Sequence, residues 1–116
     1  MKKLEEIFET YQEKPIAYMP VYSKITGSVT AGVLLSQIVY WDKAMEHREF
    51  YKTDKEFSEE LSMGHSEFRN AKKKLKSHNI ISTSIKSVPA RTFYKLNRGK
   101  LIHLILSNVE KSKLDE

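Results

Sequence analysis

The sequence predicts a mainly α-helical chain with a small β-hairpin, an α+β class. Three observations lead there. Apolar residues recur at helical spacing in separate stretches along the chain. Two short runs near residue 90, "IISTSI" and "RTFYKL", alternate or mix β-branched and aromatic residues as strands do. Ser28, Thr53 and Asn97 stand just before helical patterns, where a side-chain oxygen can cap exposed backbone N–H groups.

The elements follow in order. Leu4, Ile7, Phe8 and Tyr11 fall at i, i+3, i+4 and i+7, predicting an N-terminal helix on an otherwise charged segment. Pro15 and Pro20 end it and bracket an extended link, "PIAYMPVYSKITG". From the Ser28 cap a helix runs over Val29 to Met45, with Val29, Val33, Leu34, Ile38, Trp41 and Met45 on a wide apolar arc. That arc makes it the central core helix. Gly32 inside it costs about 1 kcal/mol against Ala, which points to close backbone packing.

"EFYK" (49–52) predicts a single short strand. Thr53 with Glu56 three residues on forms a capping box for a helix from Asp54 to Leu61. "SMG" is a tight turn, and a basic helix of about three and a half turns follows, ended by Asn79 at a left-handed position. The strand from Ile81, the link "KSVPA" and the strand "RTFYKL" form the hairpin. Asn97 caps a last helix, Arg98 to Lys111.

Helix, short strand, helix, tight turn, basic helix and two strands is the order of a winged helix-turn-helix, here with additional N-terminal and C-terminal helices. The expected organisation is one domain over 1–116. It divides into an N-terminal helix and link (1–19), a winged-helix core (20–97) and a C-terminal helix (98–116).

Charge is distributed unevenly. The net charge is +5, but residues 62–100 hold 10 Lys/Arg against one acid, while 1–61 and 101–116 are net acidic. A field of one sign on one part of a domain attracts a polyanion. Cysteine is absent, which excludes disulfide frameworks, thiolate zinc sites and thiol catalysis. Neither a signal peptide nor a membrane-length apolar run is present, so a cytoplasmic protein away from the membrane is expected.

On the basic helix, Phe68, Ala71 and Leu75 cluster within about 60° of one another. Opposite them lie Ser66, Arg69, Asn70 and Lys73, a set suited to a major groove. Arg pairs bidentately with guanine, Asn with adenine, and Lys or Ser meets bases or phosphates. Lys72, Lys74 and Lys76 flank the stripe at the expected height of the phosphates, and Lys86 and Arg91 border the wing loop. A lysine-rich helix back is usually just solvated. Here the near absence of acids, the preceding helix and turn, and the basic hairpin favour the polyanion.

The blocks "VYSKITGSVTAGVLLSQIVYWDK", "REFYKTDKEFSEELSMG", "AKKKLKSHNII" and "VPARTFYKLN" resemble the winged-helix domain that opens phage and plasmid replication initiators. They are similar to the replisome-organiser proteins of low-GC Gram-positive bacteria and their phages. The resemblance covers about residues 20–106, with "SVTAGVLLSQIVYW" and "FYKTDKEFSEEL" its most specific parts. It implies origin-type binding to double-stranded DNA through His65, Ser66, Arg69, Asn70 and Lys73, helped by Lys86 and Arg91 on the wing. Two departures stand out: Asn79 replaces the usual Gly, and the sequence stops short of the C-terminal domain that recruits replication proteins in full-length initiators. A small transcription regulator or accessory protein is equally open.

Other chemistry finds little support. His47, His65, His78 and His103 form no i, i+4 pairing with carboxylates, no glycine elbow or phosphate loop is present, and no metal, cofactor or enzymatic activity is expected. The six apolar positions of the last helix spread too widely for one stripe, so either a homodimer forms through it or the N-terminal helix covers it. The competing functional class is a protein-interaction module whose basic face docks an acidic partner, in a replisome or as a phage-encoded inhibitor.

Overall fold

The computed structural model describes residues 3, 4, 6, 16–87 and 89–114. Pro20 opens α1 (Pro20–Thr26), because a proline at the first helical position lacks only an N–H that would be unpaired anyway. Gly27, at φ +73°, closes it in the left-handed region, its N–H donating to the Ser23 carbonyl at 2.8 Å. The expected extended link is therefore without regular structure over 16–19, extended at Met19, and helical from Pro20. Ile7, Phe8, Tyr11 and Pro15, on which the expectation of an N-terminal helix rests, lie outside the described residues.

Helix α2 (Val29–Ala44) starts where Ser28 accepts a hydrogen bond from the Ala31 N–H at 3.2 Å. Leu34, Leu35 and Ile38 are fully buried on it, so it is the central helix, although Val29 and Met45 at its two ends are exposed. The glycine within it is a contact point. A Cβ on Gly32 would fall against the Ser23 hydroxyl and 2.8 Å from the Ser23 backbone nitrogen, so α1 crosses α2 at a distance that only glycine permits.

Strand β1 (Phe50–Tyr51) leads to α3 (Asp54–Leu61), whose capping box at Thr53 and Glu56 is formed from both sides. Helix α4 (His65–Ser77) follows, then β2 (Ile81–Lys86), β3 (Arg91–Leu96) and α5 (Arg98–Leu114), the last extending beyond the expected Lys111. Asn97 caps α5 by accepting from the Lys100 N–H at 3.1 Å. The antiparallel sheet has the order β1–β3–β2, with Phe50 opposite Tyr94 and Lys86 opposite Arg91. This is a winged-helix fold.

Aromatic rings join its layers. Phe57 of α3 stacks on Phe68 of α4 at 5.8 Å and meets Tyr94 of β3 edge-on at 5.2 Å, while Phe50 stacks on Tyr94 at 5.7 Å. Phe57, Phe68 and Tyr94 are all fully buried. Each such ring contributes on the order of 2–3 kcal/mol by burial alone, enough to fix the motif helices to the hairpin.

Candidate nucleic-acid interface

The turn between the motif helices sets how α4 is presented. Ser62, at φ +53°, takes the left-handed position that ends α3, and Gly64 is the N-cap of α4 rather than the strained residue. Lacking a side chain, Gly64 offers its N–H to the Glu67 carboxylate at 3.0 Å, half of a capping box. Phe68, Ala71 and Leu75 then point inward and are buried. The opposite face is left to water, and Ser66, Arg69, Asn70, Lys73 and Lys76 are exposed on it.

These residues do not form a flat stripe. Ser66, Arg69, Asn70, Lys72, Lys73 and Lys76 line one cleft of about 500 Å³ together with Asp54 from the first turn of α3. Six of the ten residues expected to meet DNA are thus brought together. His65 is exposed at the first position of α4, outside the cleft lining. Lys74 turns away: its ammonium lies near the end of α1, where a Cβ on Gly27 would approach it to 3.9 Å.

Lys72 is inside the cleft but not free. Its ammonium pairs with Asp54 at 3.0 Å and sits 5.3 Å from the Tyr94 ring centroid and 5.9 Å from that of Phe68. Asp54 also accepts from the Tyr94 hydroxyl at 3.5 Å. Burial pushes the Tyr94 phenol well above its ordinary value, and the Asp54 charge and hydrogen bond add to that. The phenol therefore stays protonated beside the carboxylate.

The wing carries Lys86 and Arg91 opposite each other at the loop end of the hairpin. Lys86 forms an ion pair with Glu49, and the Arg91 guanidinium lies 4.7 Å over the Tyr51 ring, so β1 and the residue just before it orient the two cations. Both remain exposed. Sequence reasoning missed Asp54 and Glu49. Asp54 reads locally as a helix-start acid, and nothing in the sequence ties it to a lysine of the next helix.

A buried network holds the other end of α3. Glu60 accepts from Lys52, from Gln37 and, at 2.8 Å, from the Trp41 indole, while the Lys52 ammonium lies 3.7 Å over the Trp41 ring. Burial alone would raise the Glu60 pKa, but the hydrogen bonds from Lys52, Trp41 and Gln37 outweigh it and hold the carboxyl below its ordinary value. Trp41 is thus engaged in the interior.

A second, mainly apolar cavity of about 360 Å³ lies between α1, α2 and α5, with Asp42 and His47, 2.6 Å apart, at its wall. Among the described residues no group of three or more metal-ligating side chains converges, and no helix is long and apolar enough to cross a membrane.

The sequence matches no protein-family model and no curated protein. Among solved structures the chain is similar to a possible transcriptional regulator from Methanosarcina mazei Go1. The TM-score is 0.60 at 15% identity, and the match covers 87% of this chain and 91% of that one. At that identity the likeness speaks for the fold.

Proposed function

We propose that the chain is a non-enzymatic, cytoplasmic, double-stranded DNA-binding protein, with α4 in the major groove and the hairpin against the flanking backbone or minor groove. The observation that carries this reading is the cleft on α4. A bidentate donor (Arg69), an amide with both donor and acceptor (Asn70), a hydroxyl (Ser66) and two exposed lysines (Lys73, Lys76) converge there on one surface. Lys73 and Lys76 serve as phosphate contacts. His65 at the helix start, Lys74 beside α1, and Lys86 and Arg91 on the wing extend the positive surface to either side.

The likeness to a possible transcriptional regulator and the replisome-organiser resemblance both favour control at defined DNA sites. Transcription regulation or replication initiation of a phage or plasmid is the process that fits. A homodimer would let two such domains read paired half-sites. Ile102, Leu106 and Val109, exposed at i, i+4 and i+7 along α5, are the face through which it would form.

Selection of bound duplexes from a random pool, followed by binding across salt concentrations, tests the reading. A recovered consensus with a steep, linear log–log salt dependence is expected. Binding to an acidic protein with none to duplex would replace it by the interaction-module reading. Sedimentation of the chain alone and with duplex tests the dimer.

A further inference from the structure

A cleft that receives a polyanion has no electrostatic use for a carboxylate in its wall, yet Asp54 stands there among four cations. We propose that Asp54 is a positioning residue that withholds the Lys72 ammonium from the DNA backbone. Within the cleft, sequence-independent affinity then rests on Lys73 and Lys76, while Arg69 and Asn70 are left to the bases. This role rests on the DNA-binding reading given above.

The geometry favours the pair over a lysine free to turn outward. The side chain of Lys72 is 18% exposed and that of Asp54 39%, so the ammonium is the inner partner, over two rings, and the carboxylate the outer one. Asp54 cannot swing aside with it. It is the first residue of α3, just after the Thr53 capping box, where the helix N-terminus itself favours negative charge. From the buried side the Tyr94 hydroxyl donates to it. Moving Lys72 to a phosphate would break this pair and leave the Asp54 carboxylate facing a phosphate without a counter-charge. An acid at a helix start also stabilises the helix, but that role is read in melting temperature and not in salt dependence.

The test is the salt dependence of binding to a random-sequence duplex for the full chain, Asp54→Asn, Lys72→Met and the double variant. Each phosphate contact contributes about 0.9 to the log–log slope. Asp54→Asn is expected to steepen the slope by about that amount and to bind more tightly at low salt. Lys72→Met should leave the slope unchanged when Asp54 is intact and remove the added contact when it is combined with Asp54→Asn. Equal flattening by Lys72→Met in both backgrounds would mean that Lys72 already contacts phosphate, and overturns the proposal. An unchanged slope in Asp54→Asn, with only melting temperature shifted, overturns it too. Asp54→Ser, which keeps an oxygen at the helix start, repeats the measurement should the Asp54→Asn variant not fold. A chain that shows no salt-dependent duplex binding at all removes the underlying reading and this role with it. Salt-dependent binding with no response at Asp54 removes this role alone.

Discussion

Helix α3 is held at both ends by a lysine–carboxylate pair, and the two pairs lie in different surroundings. At its C-terminal end Glu60 meets Lys52, with side chains 23% and 9% exposed, under Trp41 and beside Gln37. At its N-terminal end Asp54 meets Lys72 at the wall of the cationic cleft. Inside the protein the pair is surrounded by partners that satisfy its remaining donors and acceptors, so removing one member strands a desolvated charge. At the cleft wall water reaches the Asp54 carboxylate, the more exposed partner, so the same chemistry adds less stability and instead sets how much positive charge a ligand meets. Burial, and not the residue types, decides which pair is a brace and which tunes binding.

The largest break in this comparison is Glu60→Ala. It should lower unfolding free energy by about 3 kcal/mol by leaving Lys52 uncompensated. Asp54→Asn should lower it by no more than about 1 kcal/mol. Urea unfolding of the two variants measures the gap, and equal losses would erase the distinction.

On the binding side, replacing Arg69 or Asn70 with Ala should weaken the preferred duplex by about 1–3 kcal/mol and random DNA much less, with little change in melting temperature. Equal losses on both DNAs would reduce the two side chains to phosphate contacts.

Acid sharpens the contrast at α3. Because the folded protein holds the Glu60 carboxyl below its ordinary value, its contribution is fully present above the ordinary glutamate pKa. It is lost as pH falls through the depressed folded value. The stability gap between the wild type and Glu60→Gln should therefore be widest near neutrality and close in acid, as followed by unfolding at stepped pH.

The smallest effect belongs to the phosphate contacts. Lys73→Ala or Lys76→Ala should weaken all duplexes alike and flatten the salt slope by about 0.9 each. Salt titrations on selected and random duplexes check both statements.

Local chemistry made most of the fold legible. The caps at Ser28, Thr53 and Asn97, the buried stripe of Phe68, Ala71 and Leu75, and the crossing at Gly32 each depend on near neighbours or on a single required spacing. Helix α1 was not legible because a proline signals an interruption and an N-terminus equally well, and only the close at Gly27 separates the two. Ser62 in the left-handed region had no local signal, since the chain's reversal between two packed helices imposes it. In the candidate interface, helical periodicity was enough to place Ser66, Arg69, Asn70 and Lys73 outward. The turning away of Lys74 and the capture of Lys72 and Lys86 by acids depend on contacts between distant elements, which periodicity does not encode.

Strand β1 has a consequence for the order of events in folding. The β2–β3 hairpin closes a short link and can zip locally, in microseconds. Phe50 and Tyr94, by contrast, are neighbours across the whole of both motif helices and most of the hairpin, and β1 brings only two residue pairs to the ladder. Closing that long loop is opposed by chain entropy until α3, α4 and the hairpin have already docked. The third strand is therefore the last to join and the first to leave. Amide exchange at Lys52, whose N–H donates to the Thr92 carbonyl at 3.2 Å, should report the earliest opening of the sheet while the hairpin amides remain protected.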